Sequence, residues 1–125
     1  MHKVVLAGFL IATPLCAAHA QAITVAEFLA RATPVEKKGI AGMFSAEGRR
    51  LRQEIGKAAQ ATRAEQDNAR RAGRPPATCL PPKGKAKING RELLAFVRAI
   101  PPAQRGQSLQ AAFAGFAGRK YPCPA

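Results

Sequence analysis

The chain has 125 residues and a formal net charge of +13 at pH 7, with 20 lysines and arginines against seven acids, three cysteines and no tryptophan. Its length suits one compact domain with a modest core. Both histidines, His2 and His19, fall in an N-terminal apolar leader, so the remainder lacks the imidazole on which most hydrolytic and zinc chemistry depends.

The leader has the build of a secretory signal, with Lys3 ahead of an apolar run from Val4 to Ala12. That run is too short for a membrane span, which needs roughly 20 apolar residues. Thr13-Pro14 breaks it, and Ala18-His19-Ala20 supplies the small-x-small pattern that signal peptidase reads, which predicts cleavage between Ala20 and Gln21. Leu15 before Cys16 argues against a lipid anchor at that cysteine. Losing residues 1 to 20 removes Lys3 and no acid, which lowers the charge from +13 to +12 and leaves Cys79 and Cys123 as the only cysteines. An oxidising compartment and an even count predict one disulfide between them, the other reading being two free thiols.

Helix signals then follow one another. Thr24 and Glu27 form a capping box flanked by Ile23 and Phe28 at the staple positions, which predicts a helix bearing Val25, Phe28, Leu29 and Ala32 on one face. Thr33-Pro34 with Glu36 repeats the start signal and predicts a second helix carrying Val35, Ile40, Met43 and Phe44, weakened by Gly39 and Gly42. Ser45 caps a third, long helix, in which Leu51, Ile55, Ala58, Ala59, Thr62, Gln66, Ala69 and Ala72 recur at helical spacing. Its Ala-rich second half fits either close packing on a neighbour or a basic arm projecting into solvent. Gly73 ends it, and Pro75-Pro76 and Pro81-Pro82 mark a connector over residues 73 to 88. Asn89 with Glu92, stapled by Ile88 and Leu93, opens a fourth helix that stops at Pro101-Pro102, and Ser108 opens a last one with Leu109, Ala112, Phe113 and Phe116. No segment alternates like a strand. The expected fold is all-α, a single-domain bundle of four to five helices: N-terminal helices over residues 21 to 72, the connector, and a C-terminal pair over 89 to 125.

The chemistry these residues offer is thin. Ser45 and Ser108 stand where caps are needed, and Glu27, Glu36 and Glu92 are accounted for by capping boxes. Glu65 and Asp67 point different ways on a helix, while Glu47 and Glu54 lie in a basic surface helix, so no pair of acids has the arrangement of a glycosidase. The expectation is a protein that is not an enzyme and uses no metal or cofactor. The excess cations, with Lys83, Lys85 and Lys87 clustered in the connector and Arg74 before them, suit an acidic protein partner or an anionic envelope surface. Nucleic acid is not expected, because the cations are not interleaved with aromatics and an exported protein rarely meets any.

The C-terminal segment, Cys79-Leu80-Pro81-Pro82, then Leu93-Leu94-Ala95-Phe96-Val97-Arg98 running into Ile100-Pro101, then Ala111-Ala112-Phe113 and Tyr121-Pro122-Cys123, resembles the Rap/Tai family. Those are small, signal-bearing, mostly helical periplasmic immunity proteins that neutralise peptidoglycan amidases delivered by type VI secretion. The resemblance spans about 45 residues and implies a structural Cys79–Cys123 bridge, a periplasmic location, and a partner surface near the connector, with an amidase toxin as partner. Members typically carry a second cysteine pair in the N-terminal half, which residues 46 to 72 of this chain lack. The alternative expectation is a cationic envelope or stress protein that binds anionic surfaces or client proteins through the interchangeable cations of the long helix.

Overall fold

In the computed structural model, which describes residues 22 to 124, the first helix, α1 (Val25–Lys37), opens on the expected capping box. The Glu27 amide donates to the Thr24 hydroxyl at 3.1 Å, and the Thr24 amide donates to the Glu27 carboxylate at 2.8 Å. The leader, with its expected cleavage between Ala20 and Gln21, lies outside the described residues. The remaining elements are α2 (Gly39–Phe44), α3 (Ala46–Arg71), α4 (Gly90–Arg98), a short 3-10 turn at Pro102–Gln104 and α5 (Leu109–Lys120). The described residues contain no strand. A lone antiparallel bridge joins the capping residues Thr24 and Ser108, so the starts of α1 and α5 are tied together.

The expected break at Thr33-Pro34 is absent, and α1 runs through Pro34. Thr33 caps nothing; its hydroxyl donates to the Leu29 carbonyl within the helix. Proline can donate no bond to the Ala30 carbonyl, but both residues are exposed and water can serve that carbonyl, so the helix continues. Glu36 closes no box either and pairs with Arg98 of α4. The chain turns at Gly39, whose φ of +58° is the left-handed conformation that glycine adopts without penalty just past a helix end.

Gly42 and Gly48 have a role that helix propensity alone does not reveal. A Cβ on Gly42 would stand 2.0 Å from the Val35 carbonyl oxygen, and one on Gly48 2.4 Å from the Gly42 carbonyl oxygen. These two glycines let α2 lie against the end of α1 and the start of α3. Gly48→Ala is therefore expected to lower stability by about 1–3 kcal/mol through backbone overlap. Gly56→Ala, at an open position in the same helix, is expected to raise it by about 0.5–1 kcal/mol. Thermal melts of the two variants should move in opposite directions.

α3 is docked along its length, which decides between the two expectations for its Ala-rich half. Leu51, Ala58, Thr62, Gln66 and Ala69 are buried, and α5 is its principal neighbour. The small side chains at 58 and 69 leave room for α5 to bring Phe113, which is fully buried, and Phe116 into the core beside Val25, Phe28, Leu93, Val97 and Leu109. α3 ends in a Schellman motif: Gly73 at φ +68° donates to the Arg70 carbonyl, and the Arg74 amide to the Ala69 carbonyl. In α4, Asn89 caps by accepting from the Arg91 amide. Glu92 does not complete the expected box, because its carboxylate pairs with Lys120 of α5.

Candidate partner-binding surfaces

The connector has no regular structure, so its shape depends on side chains from elsewhere. Cys79 and Cys123 are joined as a disulfide across 44 positions of sequence, and beside it the Cys79 amide donates to the Tyr121 carbonyl at 3.0 Å. Gln66, buried in α3, makes a two-sided clamp: its carbonyl oxygen accepts from the Leu80 amide at 2.8 Å, and its amide nitrogen donates to the Leu80 carbonyl at 3.3 Å. Arg63 reaches the Pro81 carbonyl from the same helix. Leu80 itself is a core residue. Gln66→Leu keeps the volume but leaves two buried backbone groups unpaired, so it is expected to lower stability by about 2–3 kcal/mol in urea unfolding.

Beyond Leu80 the chain makes the lysine-bearing turn. Gly84, at φ +90°, sits at its tip, and the Lys85 amide donates to the Pro82 carbonyl at 3.0 Å. The Tyr121 hydroxyl accepts from the Lys87 amide at 2.9 Å, which fastens the end of the turn to the disulfide-bearing C-terminus. Lys83, Lys85 and Lys87 are all exposed on this mount. Arg74 stands apart from them. It lines a surface hollow of about 360 Å³ at the end of α3, together with Glu65, Asn68 and Thr78. The connector thus carries a lysine turn and a separate, mixed-charge hollow.

The distribution of acids sharpens the picture. Glu27 is held in its box, and Glu36, Glu47, Glu54, Asp67 and Glu92 each form an ion pair with a nearby cation. Glu65 alone of the seven has neither. Arg49, Arg52, Arg63 and Arg105 are spent on backbone carbonyls, and Arg119 stacks over the Phe96 ring. Among the described residues Lys37, Lys38, Arg71, Arg74, Lys83, Lys85, Lys87 and Arg91 have no such partner. The exposed ion pairs add little stability singly, but they use up the negative charge, so the outward field is almost wholly positive.

Ser45 and Ser108 are committed as caps, the hydroxyl of the first accepting from the Gly48 amide and that of the second from the Ala111 amide, each at 3.0 Å. The carboxylates have shifted titrations for structural reasons. The Thr24 amide and then its hydroxyl lower the pKa of Glu27, the Arg98 guanidinium lowers that of Glu36, and the Arg31 guanidinium lowers that of Glu47. A carboxylate whose pKa falls on folding contributes stability above its unfolded value, near 4.5, and loses it as the pH drops through the folded value. The melting temperature is thus expected to be flat between about pH 6 and 8, where no histidine of the described residues titrates, and to fall below about pH 4.5. A midpoint that moves around neutrality would contradict this.

A second surface was not evident in the helical pattern. Ile40, Met43 and Phe44 project from α2 with 75%, 57% and 72% of their surface exposed. The sequence pattern gives them as apolar residues of a second helix without saying which way they face; the structure turns them outward, because the Gly42 side of α2 is the one that packs. Glycine opposite an i, i+3, i+4 apolar stripe is the signal that could have placed them. Comparison with protein-family profiles, with curated proteins and with solved structures finds no match for this chain.

Proposed function

We propose that this chain is a non-enzymatic periplasmic binding protein, exported by loss of residues 1 to 20, that engages an acidic protein partner through the lysine turn of its connector. In the form the family resemblance implies, the partner is a delivered peptidoglycan amidase and the chain its immunity-type inhibitor. The observation that carries the reading is the arrangement of charge: six of the seven acids are used internally, while Lys83, Lys85 and Lys87 are held outward on a segment fixed by Gln66, Tyr121 and the disulfide. A rigid cationic mount loses little entropy on docking, and its charge speeds and orients encounter. Arg74 provides a second contact farther back along the connector. The committed serines and the lack of imidazole among the described residues support a role in binding rather than catalysis.

The reading is tested by capture from envelope and secreted fractions at low and at high salt, comparing the chain from Gln21 onward with its Lys83→Glu/Lys85→Glu/Lys87→Glu variant. One stoichiometric acidic partner, retained at moderate salt and lost by the variant, is the expected result. Numerous partners that all wash off together would overturn it.

A further inference from the structure

The apolar tip at α2 adjoins the start of α3, whereas the connector is clamped near its end at Gln66, and the two are made of different chemistry. We propose that α2 is an interfacial membrane anchor that seats the protein on an anionic phospholipid surface, with Ile40, Met43 and Phe44 entering the headgroup–acyl boundary. This goes beyond the protein–protein reading above and does not depend on it.

Three observations carry the proposal. First, these are the exposed large apolar side chains of the described residues, and all three come from one six-residue helix. Such clustering marks an interaction surface, where scattered exposed apolar residues would not. Second, the last three carbonyls of α2 each have a donor. The Ser45 amide donates to Gly42 at 3.1 Å, the Arg52 guanidinium to Met43 at 2.5 Å, and the Arg49 guanidinium to Phe44 at 2.8 Å. Leaving water therefore strands none of these three acceptors, which matters because a lipid phase offers no replacement donor.

Third, the charge around the tip is complementary to phosphate. Lys37 and Lys38 precede α2 without a partner, and Arg49 and Arg52 follow it, keeping their charge while they donate to its carbonyls; the acids next in sequence, Glu36 and Glu47, are paired with Arg98 and with Arg31. Apolar side chains flanked by cations are the composition that binds anionic bilayers at the interface. A second copy of this chain is a poor occupant, because it would bring the same uncompensated cations face to face.

The test uses residues 21 to 125, which contain every packed element described above. The chain has no tryptophan and one tyrosine, so Phe44→Trp places a clean fluorescent probe on the tip. Its emission is expected to shift to the blue with vesicles of equimolar phosphatidylglycerol and phosphatidylcholine, and to stay unshifted with phosphatidylcholine alone. In cosedimentation with the anionic vesicles, Ile40→Ser/Met43→Ser/Phe44→Ser is expected to weaken binding about tenfold or more with an unchanged melting temperature. No blue shift, or a triple variant that sediments like the parent, would overturn the proposal, the latter meaning adsorption by charge alone. If the parent ignores vesicles and the triple variant loses the captured protein partner, the tip belongs to a protein interface and the lipid anchor is refuted.

Discussion

Cys79→Ser is expected to lower the free energy of unfolding by about 4 kcal/mol, the chain-entropy value for a loop of this length. That is a large share of the roughly 5–15 kcal/mol that stabilises an ordinary domain. The disulfide joins the two segments that lack regular structure, the connector and the tail after α5, and so stands where backbone hydrogen bonding is sparse. Without it, the Cys79–Tyr121 and Lys87–Tyr121 bonds and the Gln66 clamp would have to order the connector unaided. Cys123→Ser should match Cys79→Ser, and the double variant should lose no more than either. Urea unfolding of the parent with and without reductant gives the same comparison without mutation; coincident curves would remove the bridge from the account.

Phe113→Ala is expected to cost about 3–5 kcal/mol, the range for truncating a fully buried aromatic. Phe113 has no exposed surface and stands at the centre of α5, with its ring 6.2 Å from that of Phe116, which in turn meets Phe96 edge-on at 5.6 Å. The cavity would open in the shared core, among residues from α1, α3, α4 and α5, and helices on several sides leave little scope for collapse. Phe44→Ala removes the same atoms from an exposed position and is expected to change stability by no more than about 0.5 kcal/mol. Equal losses for the two phenylalanines, read from urea unfolding, would contradict the placement of α2.

The contrast between these two residues shows what was legible in the sequence. The caps at Thr24, Ser45, Asn89 and Ser108 were readable because a capping side chain acts on an amide two or three positions away, within the reach of a local pattern. The bridge of Cys79 to Cys123 was readable by count. The break between the first two helices was misplaced because Thr33-Pro34 with Glu36 has every local feature of a helix start, whether or not the chain uses it. The outcome is decided by partners far along the chain: Glu36 goes to Arg98, 62 positions on, and Glu92 to Lys120, 28 positions on. Gln66 was legible as a member of the buried stripe of α3, but not as the clamp on the connector, since its partner Leu80 is reached only after the chain reverses. The lysines of the turn were legible as exposed charge, and their firm mounting was not. The tip of α2 escaped notice because helical spacing groups apolar residues without saying which way they face.

In the function proposed above, the lysine turn recruits an acidic partner. The most direct measurement is the association rate between the captured partner and the chain from Gln21 onward, set against the Lys83→Glu/Lys85→Glu/Lys87→Glu variant over a range of salt. Charges at the rim of an interface act mainly on encounter, so the variant should associate about tenfold or more slowly at low salt, dissociate at nearly the parental rate, and approach the parent as salt rises. An association rate untouched by the three reversals, at every salt concentration, would contradict the claim.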